Sequence, residues 1–294
     1  MISGRWLDIF SNRHDRAVSV LIFPLVEKSL SALVYVASIN LLLHVFCAGA
    51  VLADDDSISP LQQDPYVEMV LQESAWGNPP GARIKSISGY FLGAPYIANS
   101  LVGDPAEAEQ LVTRLDGFDC FTFLDTVEAL RRSADASDFP LHMRQVRYRG
   151  GVVSYENRRH FFSDWVSDQG SPVKDVTAIV GQGRERHVHK KLNAREGGAT
   201  WVDGIDVNPR AITYIPTDDL DAKLLDALES GDYVGIFSSQ PGLDVTHTGL
   251  IVKAGTATML RHASSRDGVE RIIDEDLVTY MRGKTGLIVY RVMQ

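Results

Sequence analysis

The sequence predicts an α+β fold in which a helix carrying a cysteine at its start packs on an antiparallel β-sheet, with additional helices on the N-terminal side. Three observations predict it. Apolar residues recur at helical spacing through much of the chain between residues 65 and 229. Beyond Gly231 the pattern changes to short β-rich runs separated by Gly, Asp or Ser. Between the two, Cys120 lies in Phe118-Asp119-Cys120-Phe121-Thr122-Phe123, where Asp119 is suited to cap a helix that begins at the cysteine.

The first element is a leader. Residues 29–53 carry no charged side chain. Arg5, Arg13, Arg16 and Lys28 precede this run and Asp54, Asp55 and Asp56 follow it, an asymmetry that keeps the start of the chain inside and sends the rest across a membrane. Val51-Leu52-Ala53 offers small residues to a signal peptidase, and the run is also long enough to be retained as an anchor. Residues 1–53 are therefore read as a signal peptide or membrane anchor and the protein as exported. Cys47 reads as an apolar residue of this segment, because Phe46 stands where lipidation requires a small one.

Residues 54–294 read as one domain with a helical N-terminal extension over about 54–114. Val67, Val70 and Leu71 predict a helix over 65–75, and Asn78-Pro79-Pro80-Gly81 a loop after it. From Asp119 onward Phe121, Leu124, Val127 and Leu130 mark a helix that Arg131 and Arg132 close at its negative end. Two further helices are expected over 156–167 and 218–229. Strands are expected over 233–238, 245–253, 257–263, 269–273 and 286–292, with a tight turn around Gly255.

The formal charge of −9 argues against nucleic acid or anionic lipid as the main partner, since both reward basic surfaces. Any membrane contact is expected only through the leader. His187-Val188-His189 invites a zinc reading, but Arg184, Arg186, Lys190 and Lys191 beside it would oppose a dication, so a solvated basic loop and no metal are expected. Gly181-Gln182-Gly183 lacks the strand and helix context of a phosphate loop, and no cofactor is expected.

Cys120 admits two readings, a buried apolar residue or a nucleophile. Backbone N–H groups at a helix start stabilise a thiolate, and an exported chain with one cysteine beyond its leader has no disulfide partner for it. His247 and His262 lie on consecutive expected strands, where a hairpin brings the imidazoles together. One imidazole would then take the thiol proton while the second orients it, and the Cys120 pKa is expected to be depressed by His247 and the helix start.

The chain resembles the N-acetylmuramoyl-L-alanine amidase-like family, a branch of the papain-like NlpC-type cysteine peptidoglycan hydrolases. The resemblance runs from about residue 66 to the C-terminus. It rests on Phe91-Leu92-Gly93-Ala94-Pro95-Tyr96, Leu115 to Phe123, Arg158-Arg159-His160-Phe161-Phe162-Ser163-Asp164-Trp165, Tyr214-Ile215-Pro216, Gly231-Asp232, Leu243 to Gly249 and His262-Ala263-Ser264-Ser265. It implies a papain-like (NlpC-type) fold, Cys120 as nucleophile, His247 as base and His262 as the orienting residue. Peptidoglycan or muropeptide fragments are the implied partners, and the periplasm or cell envelope of a bacterium the implied location. The implied reaction hydrolyses the amide between N-acetylmuramic acid, the anhydro form included, and L-Ala. The alternatives are a γ-D-Glu-meso-diaminopimelate endopeptidase and a non-catalytic wall-binding module. Tyr96 is a candidate oxyanion donor or a packing residue. Arg159 is a candidate grip for peptide carboxylates, and Asp119 a further substrate contact.

Overall fold

A sheet of eight antiparallel strands forms the centre of the described residues: β1 (Val173–Asp175), β2 (Arg186–Leu192), β3 (Asn208–Pro216), β4 (Tyr233–Phe237), β5 (Val245–Ala254), β6 (Ala257–Ser264), β7 (Arg271–Asp276) and β8 (Gly286–Val292). The structure is a computed structural model that describes residues 65–74, 79–167, 171 and 173–292, so the leader read at 1–53 lies outside them. The strand order is β2-β3-β8-β4-β5-β6-β7, and β1 also pairs with β8. Among the described residues seven α-helices accompany the sheet: α1 (Pro65–Glu73), α2 (Pro80–Gly89), α3 (Cys120–Arg132), α4 (Phe139–Arg147), α5 (Thr177–Gly181), α6 (Ala222–Ala227) and α7 (Leu277–Met281).

Strand periodicity divides the core into two layers. On one face Tyr233, Phe237, Leu250, Val252, Ala263, Ile288 and Tyr290 pack with Phe123, Leu124, Val127 and Leu130 of α3 and with apolar residues of α1, α2 and α4. On the other, Val234, Ile236, Ile251, Leu260, Leu287 and Val289 pack with Val180, Leu224, Leu277 and Met281 of α5, α6 and α7. Each fully buried Val, Leu, Ile, Phe or Met side chain among these contributes about 1.5–3 kcal/mol. The central strands are covered on both faces, which explains why β4 reads as a continuous apolar run.

The five strands expected after Gly231 are present within a few residues of their expected ends, as are the helices at 65 and at 120. Three expectations change. Residues 156–167 are not one helix: only a 3₁₀ turn, Phe162–Val166, forms, because Arg158 and Arg159 turn inward and tie the preceding segment to Glu109 and to backbone carbonyls. The helix expected over 218–229 is a 3₁₀ turn, Thr217–Asp219, followed by α6, which Asp221 caps from below by accepting from the Leu224 N–H. The region expected as a basic loop at His187-Val188-His189 is instead β2, a full hairpin partner of β3. That edge strand is exposed at most positions and lacks apolar alternation, so periodicity could not find it.

Candidate active site

The start of α3 is built locally. Asp119 accepts hydrogen bonds from the N–H groups of Phe121 (2.9 Å) and Thr122 (2.7 Å), while the Thr122 hydroxyl accepts from the Asp119 N–H, completing a capping box. The Asp119 carboxylate, a candidate substrate contact by sequence, is thus committed to holding the helix. Its cap engages the second and third helical amides and not that of Cys120. The close approach of Gly117 to the Pro95 carbonyl and the Ile97 side chain, where any Cβ would collide, lets the segment 95–97 pair with Phe118. Tyr96 is thereby held beside the helix start, since the Ile97 N–H donates to the Phe118 carbonyl and the Phe118 N–H to that of Pro95.

Cys120 is buried, with 4% of its surface exposed. Its carbonyl accepts from the Thr248 hydroxyl at 2.9 Å, which pins the first residue of α3 to β5. Next to Thr248 in the chain, His247 stands directly after a β-bulge: Ile236 pairs with His247 and Phe237 with Val245, leaving Thr246 as the extra residue. Bulges commonly re-aim a side chain in this way. His247 and His262 lie on neighbouring strands, with Nε2 of the first 2.7 Å from Nδ1 of the second and their rings nearly perpendicular. Gly249 makes room for this contact, because a Cβ there would lie 2.8 Å from the Arg261 carbonyl and 3.1 Å from the His262 Cβ.

The line continues outward. His262 Nε2 is 2.8 Å from Glu275 Oε2 on β7, and Glu275 Oε1 accepts from Arg266 at 3.0 Å. Tyr280 of α7 lies against both imidazoles, 5.9 Å and 4.9 Å between ring centroids. Tyr280 and Tyr96 are both raised above the ordinary phenol range, first by burial.

Burial dominates the protonation states. It pushes the Cys120 thiol well above its ordinary value, and the Asp119 charge adds to this, while the Thr248 hydroxyl and N–H pull the other way. Burial also lowers His247 well below the ordinary imidazole value, with His262 and Lys284 acting in the same direction. His262 is lowered by burial despite the opposing Glu275 carboxylate. The expectation of a depressed thiol pKa is therefore overturned: the resting site holds a neutral thiol and neutral imidazoles, because removing either charge from water costs more than the helix start returns. Tyr96 is raised, first by burial, so it remains a phenol able to donate.

Arg159 does not reach this site. It is 7% exposed, and its Nη1 donates to the carbonyls of Gln145, Val146 and Tyr148, a structural role behind α4 rather than a grip on a substrate. Arg158 is paired with Glu109. Sequence reasoning missed Thr248, Glu275 and Tyr280. Glu275 falls past the expected end of β7, and Tyr280 sits on a five-residue helix too short for a periodic signal. The signal for Thr248 was its place beside His247, on the opposite face of a strand.

The model of the N-acetylmuramoyl-L-alanine amidase-like family matches residues 86–287. The chain belongs to this family. Among solved structures, an N-acetylmuramoyl-L-alanine amidase from Bacteroides uniformis is similar at 24% identity with a TM-score of 0.61, over 74% of this chain and 100% of that one. A Legionella pneumophila protein is similar at 21% identity with a TM-score of 0.65, over 79% of this chain and 95% of that one. Likeness at these identities carries the fold. No curated protein matches the chain. The family's matched segment spans α3, the histidine strands and Glu275, so the site built above lies within it.

Proposed function

We propose that the protein is an exported cysteine hydrolase that cleaves the amide between N-acetylmuramic acid, the anhydro form included, and L-Ala in peptidoglycan or its fragments. The reading is supported by the His247–His262 pair on β5 and β6 and by Thr248, next to His247 in the chain, whose hydroxyl donates to the Cys120 carbonyl at the first position of a capped helix. The fold is read as papain-like of the NlpC type, a cysteine helix packed on a sheet that bears the histidines. The family and the name of the Bacteroides uniformis protein support the bond assignment. Export rests on the leader read at residues 1–53 and points to the periplasm or cell envelope.

In this mechanism His247 removes the Cys120 proton as the sulfur attacks the lactyl amide carbonyl, so that the ion pair forms only with substrate bound. The Cys120 N–H, which the Asp119 cap does not use, and the Tyr96 hydroxyl serve the tetrahedral oxyanion; one such donor is typically worth about 2.7–4 kcal/mol. The imidazolium then protonates the departing L-Ala nitrogen, and water activated by His247 hydrolyses the thioester.

Mass spectrometry of defined muropeptides, with and without the anhydro sugar, tests the proposal. Free sugar and an intact peptide beginning at L-Ala are expected from the wild type and absent with Cys120→Ala. A fragment beginning at diaminopimelate would instead establish the endopeptidase. No cleavage by folded protein would leave a wall-binding role.

A further inference from the structure

The hydrogen bonds at the site form one line across three strands, and only the outer end of that line has a fixed polarity. A carboxylate can accept but not donate. We propose that Glu275 is a positioning residue that sets the tautomers of both histidines, with Arg266 fixing the orientation in which it does so. The proposal rests on the cysteine hydrolase reading for its activity readout alone.

Donor and acceptor roles propagate inward from β7. Glu275 Oε2 lies 2.8 Å from His262 Nε2, so that nitrogen must carry a proton. His262 is neutral in its buried setting, so its Nδ1 holds a lone pair. His247 Nε2, 2.7 Å from that lone pair, must then be the donor. A neutral His247 protonated on Nε2 has its basic lone pair on Nδ1, and Nδ1 becomes the atom that accepts the thiol proton. Reversing the polarity of one bond at Glu275 would reverse both imidazoles and place a hydrogen where the base should be. The second Glu275 oxygen receives the Arg266 guanidinium at 3.0 Å, so the carboxyl group is held by two donors on opposite oxygens.

This arrangement makes an isosteric substitution informative. In Glu275→Gln the amide has one acceptor and one donor end. Arg266 can only donate, so it draws the amide oxygen to itself and turns the NH₂ toward His262 Nε2. His262 must then protonate Nδ1, and His247 must accept at Nε2 and protonate Nδ1. Adding Arg266→Ala frees the amide to rotate and present oxygen to His262 again. A merely structural role for Glu275 predicts no such rescue, because the second substitution removes a further contact.

The test uses the full chain as wild type, Glu275→Gln and Glu275→Gln/Arg266→Ala, each with ¹⁵N-labelled histidine. Ring-nitrogen NMR should show both histidines protonated on Nε2 in the wild type and on Nδ1 in Glu275→Gln. With a muropeptide substrate, kcat should fall about 10³–10⁴-fold in the single variant, the scale of a wrong-tautomer defect in a triad, with KM little changed. The double variant should regain Nε2 protonation and at least about tenfold in kcat. Wild-type tautomers retained in Glu275→Gln, or a double variant no better than the single, would overturn the proposal. Absence of wild-type turnover on every muropeptide would count against the amidase reading only, since the NMR result decides the tautomers without it.

Discussion

The two ends of α3 solve the burial of polar groups in opposite ways. At the C-terminal end Glu128 is fully buried and fully engaged: Arg131 donates to both of its oxygens at 2.8 Å, Arg132 lies 3.2 Å away, and the Tyr233 hydroxyl donates at 2.9 Å. The arginines also sit at the negative end of the helix dipole. At the N-terminal end burial is nearly as complete, yet Cys120, His247 and His262 are held in their neutral forms. A buried charge that is satisfied on every side is inert and braces the helix against β4. On the proposed reading, the buried groups kept neutral are those that exchange a proton once substrate is bound.

The contrast can be broken most directly at the reactive end. His247→Ala should lower turnover of a muropeptide about 10⁴-fold while the far-ultraviolet spectrum and melting temperature stay near those of the wild type. Turnover at the wild-type rate would remove His247 from the mechanism.

At the inert end the effect should be on stability. Glu128→Ala leaves two arginines and a buried phenol without their acceptor and should cost about 3–5 kcal/mol in urea unfolding, the range for breaking a buried pair from one side. Activity per folded molecule should persist. A loss below about 1 kcal/mol would mean that water replaces the carboxylate and the bracing role is wrong.

Thr248→Val sharpens the comparison with a smaller change. It removes the hydroxyl that donates to the Cys120 carbonyl and favours the thiolate, so stability should fall by about 1–3 kcal/mol, and alkylation of Cys120 should slow. Faster alkylation would show that the hydroxyl does not stabilise the sulfur anion.

The contrast also has a pH dependence. Because burial raises the folded thiol above its ordinary pKa, native Cys120 should react with iodoacetamide more slowly near pH 8 than the same residue in urea. His247 and His262 are lowered in the folded state, and His160 is pushed down by burial to about 4. Below an ordinary imidazole value of about 6.5 the unfolded chain binds more protons than the folded one, so stability should be complete above that pH and decline as pH falls toward 4. Stability unchanged between pH 7 and pH 4.5 in urea titrations would contradict neutral buried imidazoles.

Much of the fold was legible because its elements advertise themselves. The period of three to four residues from Phe121 to Leu130, ended by two arginines, could hardly be anything but a helix, and the runs after Gly231 alternate or stay apolar as covered strands do. The cysteine and both histidines were legible for the same reason, since each sits at a definable place on such an element. Where sequence reasoning failed, the competing influence was not local. Arg158 and Arg159 have good helix propensity, but Arg158 pairs with Glu109 far along the chain and Arg159 with carbonyls at the end of α4, and those bonds hold the segment out of a helix. Strand β2 exists because β3 pairs with it, and its own side chains carry no record of that.

The chain's own order of residues was enough to indicate which groups are on offer: a capped helix beginning at Cys120, two strand histidines and an acidic body. Local capping and periodicity depend on neighbours within a few positions, so they can be read along the chain. Only the tertiary structure decided how those groups are charged and aligned. The bulge at Thr246, the Cβ-free gap at Gly249 and the register of β6 against β7 set the line from His247 through His262 to Glu275. Desolvation, which depends on everything packed around a group and not on its sequence neighbours, reversed the expected state of the thiol.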